Sequence, residues 1–472
     1  MQHIDKIYIN GEFVTPHGSE RFELFNPATE EIIGTVRLAD EEDTRCAIAA
    51  AKAAFPAWSQ TSKAQRIDVL KRMHAAIVER EAALREAIVT EYGAPVSRAD
   101  WMATYPGDAI LEAITTLEAF DFEVQAGSAQ VVMTPVGVAG LITPWNSNAG
   151  FICNKLATAM AAGCTAVIKP SEMSAIQTQI VTEALHAAEI PAGVLNIVTG
   201  RGEVVGAEIT RHPDIAKISF TGSTTVGKGI VAGGAATLKR VTLELGGKSP
   251  TVILDDAAVG QAVALALAAG FMNSGQACIA GTRILVPQSR LSEFEQAIAL
   301  AVGEIQSGDP RDPATVIGPM VSRKQWERVQ SYIRLGREEG AMLLTGGEGR
   351  PAGMTKGWCV KPTIFTRANN QMRIAREEIF GPVLVLIPYE DEAQAVAIAN
   401  DTTYGLSALV LSGDRARGQR VARQIDAGRV LVNTLIHEPK APFGGLKQSG
   451  LGREMGRWGM EAYLEPKTLL VG

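Results

Sequence analysis

The sequence predicts an α/β fold centred on a parallel sheet buried on both faces. Three observations carry this. Between residues 136 and 245 short apolar runs alternate with helical stretches. The runs are continuously apolar rather than alternating, as strands covered on both faces require. Each run also ends in polar or glycine-rich residues, at the strand ends where sheets of this kind bind ligands. A second α/β alternation, from about residue 247 to 445, points to a further domain.

Taken in order, the first forty residues hold two strand-like runs, 7–13 and 31–37, separated by the turn-rich Asn26-Pro27-Ala28-Thr29. Asp40 is a helix N-cap, followed by Glu41, Glu42 and Asp43 in the turn where the helix dipole favours negative charge. A second helix begins near Ser62. Its Ile67, Leu70, Met73, Ile77, Leu84 and Ile88 fall at helical spacing, and Gly93 and Pro95 mark its end. These stripes read as core. The strand candidates that follow are 138–142, 166–169, 194–198, 216–220 and 241–245, with helices over 151–162 and 175–188 between them. Their five tips, including Thr143-Pro144-Trp145-Asn146, Lys169-Pro170-Ser171-Glu172 and Thr221-Gly222-Ser223, all crowd one edge of the sheet.

With 472 residues, 46% hydrophobic and 20% charged, the chain can bury a large core without disulfides or metals. Length alone suggests roughly three domains. A net charge of −6 without a Lys/Arg tract argues against nucleic acid as a partner. The start, MQHIDKIYINGEFV, lacks the apolar core of a secretory signal, and residues 257–272 fall short of the ~20 apolar residues that span a bilayer. Five cysteines without a CxxC pair match a reducing cytoplasm, and six scattered histidines give no support for a metal site.

The candidate chemistry is ambiguous residue by residue. Gly222 and Gly227, in FTGSTTVGKGI, could bring backbone N–H groups to a pyrophosphate or simply make a tight turn. Lys169 and Glu172 offer a cation and a carboxylate for phosphate and ribose, yet such a pair is commonly just surface. Cys278 could be a buried hydrophobe. Its setting, Asn273-Ser274-Gly275-Gln276-Ala277, is too polar and too small for a plain core segment, and small neighbours leave room at the sulfur. Glu244, in ELGGK, and Asn146 are equally open on their own.

Together these segments resemble the aldehyde dehydrogenase superfamily along nearly the whole chain. INGEF, PWN, KPSE, FTGSTTVG, ELGGKSP, GQAC, EEIFGPV and PFGGLKQSGLGRE occur in the family's order and at its approximate spacing. The resemblance implies a Rossmann-like cofactor domain (1–118 and 136–246), an α/β catalytic domain (247–446) and a small β oligomerisation ribbon (119–135 and 455–472). It implies Cys278 as nucleophile, Glu244 as the base that activates water, and Asn146 as an oxyanion donor alongside the Cys278 backbone N–H. Lys155 and Glu454 match accessory groups near the site. Lys169 and Glu172 match contacts to the adenosine ribose, Gly222 and Ser223 the pyrophosphate turn, and Glu378 and Phe380 the nicotinamide ribose and ring. Ile142, Trp145, Ser171, Gly202, Phe220, Val226, Gly227 and Leu245 complete the implied cofactor set. NAD is the implied cofactor, with NADP as the alternative. A small-molecule aldehyde is the implied substrate, and a cytoplasmic homodimer or homotetramer the implied assembly.

The physical logic agrees. An aldehyde carbon does not readily give up hydride until a nucleophile makes it tetrahedral, and a free thiol is only a few per cent ionised near pH 7, so the site must favour the thiolate. Thioester hydrolysis then needs a base. A CoA-acylating relative would use the same thioester but typically lacks that base. A non-catalytic protein retaining the fold, or a thiol esterase, would leave the catalytic or cofactor residues idle. One departure stands out. Where many family members read PWNFP, this chain reads Pro144-Trp145-Asn146-Ser147-Asn148, which predicts a wider or more polar substrate tunnel.

Overall fold

Continuous apolar runs do become the central strands of a parallel sheet. The computed structural model, which describes residues 1–471, places Val138–Ile142, Thr165–Lys169, Leu195–Ile197, Ile215–Thr221 and Arg240–Glu244 side by side, all parallel. Val138–Ile142 and Thr165–Lys169 are buried at every position, because helices cover both faces. Each fully buried Leu141, Ile168 and Ile218 contributes roughly 1.5–3 kcal/mol. The spatial order runs from Arg240–Glu244 through Ile215–Thr221, Val138–Ile142 and Thr165–Lys169 to Leu195–Ile197. The chain therefore winds outward from Val138–Ile142 in one direction and then returns to its other side. Val138–Ile142 and Ile215–Thr221 flank the switch point, where their following loops must diverge and open a crevice.

A second sheet, Met342–Thr345, Thr363–Thr366, Val383–Tyr389, Arg283–Pro287, Pro250–Ile253, Ser407–Leu411 and Arg429–Val432, is parallel except at its first strand. Residues 245–249 join the end of Arg240–Glu244 directly to the start of Pro250–Ile253. The C-terminal edge of one sheet thus faces the N-terminal edge of the other. A small antiparallel sheet of Glu123–Ala126, Ala129–Pro135 and Leu464–Leu469 stands apart, with Glu123–Ala126 exposed throughout.

Three expectations need correction. The run 7–13 is a hairpin, Ile7–Ile9 against Glu12–Val14, because Asn10 and Gly11 take positive φ (55° and 85°) and reverse the chain. The helix that begins at Ser62 is broken: Lys63–Val78 ends at a C-cap on Glu79, and Glu81–Ala87 starts anew after Arg80. Neither Gly nor Pro marks that break. The helix expected from residue 151 starts earlier, at Asn148. Asp40 does cap its helix, and both helix starts close as capping boxes, Asp40 with Asp43 and Ser62 with Gln65, each worth about 1 kcal/mol.

Candidate active site

A cleft of about 520 Å³ opens between the two sheets, lined among others by Trp145, Asn146, Gly222, Ser223, Glu244, Leu245, Cys278, Glu378 and Phe380. Its first wall is the switch point: the loop after Val138–Ile142 brings Trp145 and Asn146, and the turn after Ile215–Thr221 brings Gly222 and Ser223. Ser223 caps the helix Thr224–Gly234, its Oγ accepting from the Val226 N–H at 3.4 Å, and no acidic residue occupies that helix's first turn. The result is an electropositive helix end open to an anion.

Glycines fix how closely the two walls approach. A Cβ on Gly246 would lie 2.5 Å from the Glu378 carboxylate, and one on Gly247 2.5 Å from the Cys278 carbonyl oxygen. Only a chain without side chains passes between those two groups, which is the tertiary reason for ELGGK.

Polarity around Cys278 comes from the loop that presents it. Asn273, Ser274 and Gly275 all have positive φ (54°, 58° and 74°), and side-chain hydrogen bonds hold this contorted turn. Asn273 Nδ2 donates to the carbonyls of Asn146 and Gln276, both at 3.2 Å. The Gly318 N–H donates to Ser274 Oγ at 2.9 Å, and the Val321 N–H to Gln276 Oε1 at 3.0 Å. Asn146 Nδ2 itself donates to the Gln276 carbonyl at 3.0 Å. An amide nitrogen carries two hydrogens, so this bond orients the side chain and leaves one donor for a ligand.

Burial pushes the Cys278 thiol up to about 12, and the carboxyls of Glu378 and Glu244 push the same way, while Arg429 and a backbone N–H oppose them. Glu244 is 2% exposed and neither of its oxygens has a hydrogen-bond partner among the described residues. Its carboxyl is raised well above the usual range, by burial first and then by Glu454, against the pull of Lys155 and Arg453. Glu378 is also raised, to about 7, by burial, against the Gly247 N–H, Lys248 and Arg328. Its Oε1 accepts from the Gly247 N–H at 3.1 Å. Phe380, at φ 62°, stands edge-on to Trp145 with ring centres 5.4 Å apart, and Gln325 Nε2 holds its carbonyl at 2.8 Å.

Other residues singled out from sequence lie outside this cleft. Lys155 and Glu454 pair with each other in the interior beneath it, both also hydrogen-bonding Ser219 Oγ, at 2.9 Å each. Lys169 Nζ donates to Glu172 at 3.1 Å at the neighbouring strand tip, and Arg201 Nη1 stands 3.5 Å from the same carboxylate. Burial works against the charge on Glu172, but Lys169, its own backbone N–H and Arg201 outweigh it and hold the carboxyl below its usual range. Ser171 caps the short turn that carries Glu172, and Gly202 opens the helical turn after Arg201. Ile142 and Phe220 are buried in the core below, Gly227 packs against Leu245, and Val226 is exposed.

A second cavity, about 480 Å³, lies alongside the middle of the helix Asn148–Ala162 and is lined by Trp101, Tyr105, Glu112, Asn154, His437 and Met455 among others. The tunnel expectation divides here. Asn148 faces inward, donating to Thr178 Oγ1 at 2.8 Å and accepting from Thr143 Oγ1 at 3.1 Å, so it lines no channel. Tyr105, stacked on Trp101 at 4.9 Å, presses against Gly150 and brings its aromatic ring beside Ser147.

Sequence reasoning missed Arg429, whose charge counters the rise of the Cys278 thiol, and Arg328, whose Nη2 donates to the Glu378 carbonyl at 2.6 Å. Both sit far from any recognisable motif, and no local signal marks them.

Over nearly its whole length the chain is similar to aldehyde dehydrogenases. The model of the Aldehyde dehydrogenase family matches residues 13–469. A 3-succinoylsemialdehyde-pyridine dehydrogenase of a Pseudomonas species is 44% identical, covering 100% of this chain and 99% of the relative. The structure of a mutant aldehyde dehydrogenase C of Pseudomonas syringae, complexed with NAD+ and octanal, superposes with a TM-score of 0.97 at 44% identity, covering 99% of this chain and 96% of that one. An aldehyde dehydrogenase of Mycobacterium tuberculosis complexed with NAD+ gives 0.97 at 38%, covering 100% and 99%.

Proposed function

Because the chain belongs to the aldehyde dehydrogenase family, we propose that it oxidises an aldehyde to a carboxylic acid with NAD, through a thioester on Cys278. The observation that carries this is the convergence of Cys278, Asn146 and Glu244 on one cleft with Gly222, Ser223, Glu378 and Phe380. The residues suit the cofactor. The helix end at Ser223 is free of acidic residues and would hold the phosphates, and the paired Lys169 and Glu172 would hold the adenosine ribose. Glu378 and Phe380 would meet the nicotinamide end. NAD held there would supply the hydride acceptor for the oxidation.

The protein's own groups do the rest. The Cys278 sulfur attacks the carbonyl carbon. The free Asn146 amide hydrogen and the Cys278 N–H hold the resulting oxyanion, an interaction whose loss typically costs ~10²–10³ in rate. After oxidation the carbon is a thioester. Glu244, once ionised, takes a proton from water, the hydroxide oxygen adds to the carbonyl carbon, and the carbon–sulfur bond breaks to release the acid and the thiol. The aldehyde would lie on the Trp101–Tyr105 side, and the stacked rings favour an aryl or long-chain aldehyde. We also propose the division into a cofactor domain (1–118, 136–246), a catalytic domain (247–446) and a ribbon (119–135, 455–472) whose open edge strands join subunits into a homodimer or homotetramer.

The test is Glu244→Gln. It should give a burst of reduced cofactor of at most about one equivalent per site, then a slow steady state, with the acyl group on the peptide that carries Cys278. Normal steady-state turnover would assign the base elsewhere. Release only on adding CoA would make the protein an acyl-CoA-forming relative.

A further inference from the structure

The strand tip that carries Lys169 and Glu172 holds a second ion pair, from a segment that no motif marks. Arg201 stands just before the helical turn Gly202–Gly206, and its guanidinium lies between two carboxylates. On one side Nε and Nη2 both donate to Glu20 Oε1, at 3.0 and 2.7 Å. On the other, Nη1 stands 3.5 Å from Glu172 Oε1, while Lys169 Nζ donates to Glu172 Oε2 at 3.1 Å. The Phe22 ring lies under the guanidinium, with its centre 5.0 Å from the guanidinium carbon. Backbone hydrogen bonds keep Glu20 in this place. The Leu38 N–H donates to the Glu20 carbonyl at 2.8 Å, and the Ala39 N–H donates to the Thr199 carbonyl at 2.9 Å, two residues before Arg201.

An ion pair this exposed adds little to stability, so its consequence lies in where it points the guanidinium. A carboxylate beside a ribose accepts from the 2′-OH and repels a 2′-phosphate. A guanidinium does the reverse, and its planar fork suits phosphate oxygens. This tip carries both kinds of reader, and Glu20 decides which is available: it occupies the Nε–Nη2 edge of Arg201 and matches its charge. We propose that Glu20 is a specificity-determining positioning residue, which withholds Arg201 from the cofactor and so keeps the site selective for a ribose without a 2′-phosphate. This rests on the reading of Lys169 and Glu172 as the adenosine-ribose contacts.

The experiment titrates two nucleotides into the full-length protein by calorimetry, without aldehyde or turnover: 5′-AMP and adenosine 2′,5′-bisphosphate. In Glu20→Ala the bisphosphate should bind about 10-fold tighter, while 5′-AMP stays within about twofold of wild type. In turnover the same variant should gain kcat/KM with NADP by a similar factor, through KM and not kcat. Adding Arg201→Gln to Glu20→Ala should cancel the gain, which a merely structural role for Glu20 does not explain. Glu20→Gln keeps the side chain's shape and should move the bisphosphate in the same direction, so the readout survives poor folding of the Ala variant. Unchanged bisphosphate affinity in both Glu20 variants overturns the proposal. So does a gain that persists without Arg201, or one that 5′-AMP shares equally, since either would mean that loss of negative charge alone is at work. Failure of the underlying reading looks different: Glu172→Ala would then bind both nucleotides as wild type does.

Discussion

The sheet built on Val138–Ile142 offers the C-terminal ends of its strands to the cleft, whereas the sheet built on Pro250–Ile253 offers N-terminal ends. The difference divides the work. Beyond the C-terminal end of a parallel strand the chain enters a helix, so the first sheet supplies helix N-termini with unpaired N–H groups: Ser223 before Thr224–Gly234, and Ser147 before Asn148–Ala162. That side suits a phosphate. At the N-terminal end of a strand the chain arrives from a loop, and the second sheet hangs the nucleophile and other cleft-lining side chains there. Cys278 precedes Arg283–Pro287, Glu378 and Phe380 precede Val383–Tyr389, and Tyr404 precedes Ser407–Leu411. That side suits chemistry. Glu244 stands at the junction, since residues 245–249 carry the chain from one sheet to the other.

The sharpest way to break this division is Cys278→Ala. Dehydrogenase activity should fall by roughly 10⁴-fold or more, while NAD titrated by quenching of protein fluorescence should bind within about threefold of wild type. Parallel loss of both would mean that the two walls do not act separately. Next comes Glu172→Gln, which acts on the first wall alone. Glu172 repels a ribose 2′-phosphate, while Lys169 and Arg201 on either side would attract it. Wild type should prefer NAD, and the variant should narrow the NAD/NADP ratio of kcat/KM by about 10-fold. A wild type that favours NADP contradicts this at once.

The junction itself gives a pH-dependent test. Because the folded-state pKa of Glu244 is raised, the native protein holds a proton there that the unfolded chain has already lost, so this group's contribution to stability falls as pH rises through that raised value. Glu244→Gln has no proton to lose. Its Tm relative to wild type should increase from pH 6 to pH 8.5, by about 2–4 °C. A constant difference would mean that Glu244 titrates near its usual range. The smallest effect is expected from Cys359→Ser, behind the second sheet. Its thiol makes a 3.8 Å contact to the Gly308 carbonyl and reaches neither cavity, so turnover should be unchanged at a stability cost of about 1 kcal/mol. A change in kcat would extend the site well beyond its two walls.

Much was legible before any coordinates. The central strands could be read because burial on both faces leaves continuous apolar runs, and the helix starts because capping is a local hydrogen bond. Cys278, Glu244, Asn146, Glu378 and Phe380 were marked by the family resemblance of their motifs taken together, since each was ambiguous on its own. The hairpin at Asn10-Gly11 was also written locally and was overlooked. The break at Arg80 was not written there, since it has neither Gly nor Pro.

By itself, then, the sequence determined the α/β class, the positions of the sheet and its tips, and the family. Tertiary structure alone decided which tips share a wall, that Lys155 and Glu454 pair beneath the cleft rather than in it, and that Asn148 turns inward while Tyr105 brings its ring to Gly150. It also decided that the charge of Arg429, 151 residues along the chain from Cys278, counters the rise of that thiol. The physical reason is range. Hydrophobic period, capping and turn chemistry act within a few residues and leave a local trace. Burial, electrostatic neighbours and the direction in which a side chain faces depend on which elements pack together, and no stretch of sequence states that alone.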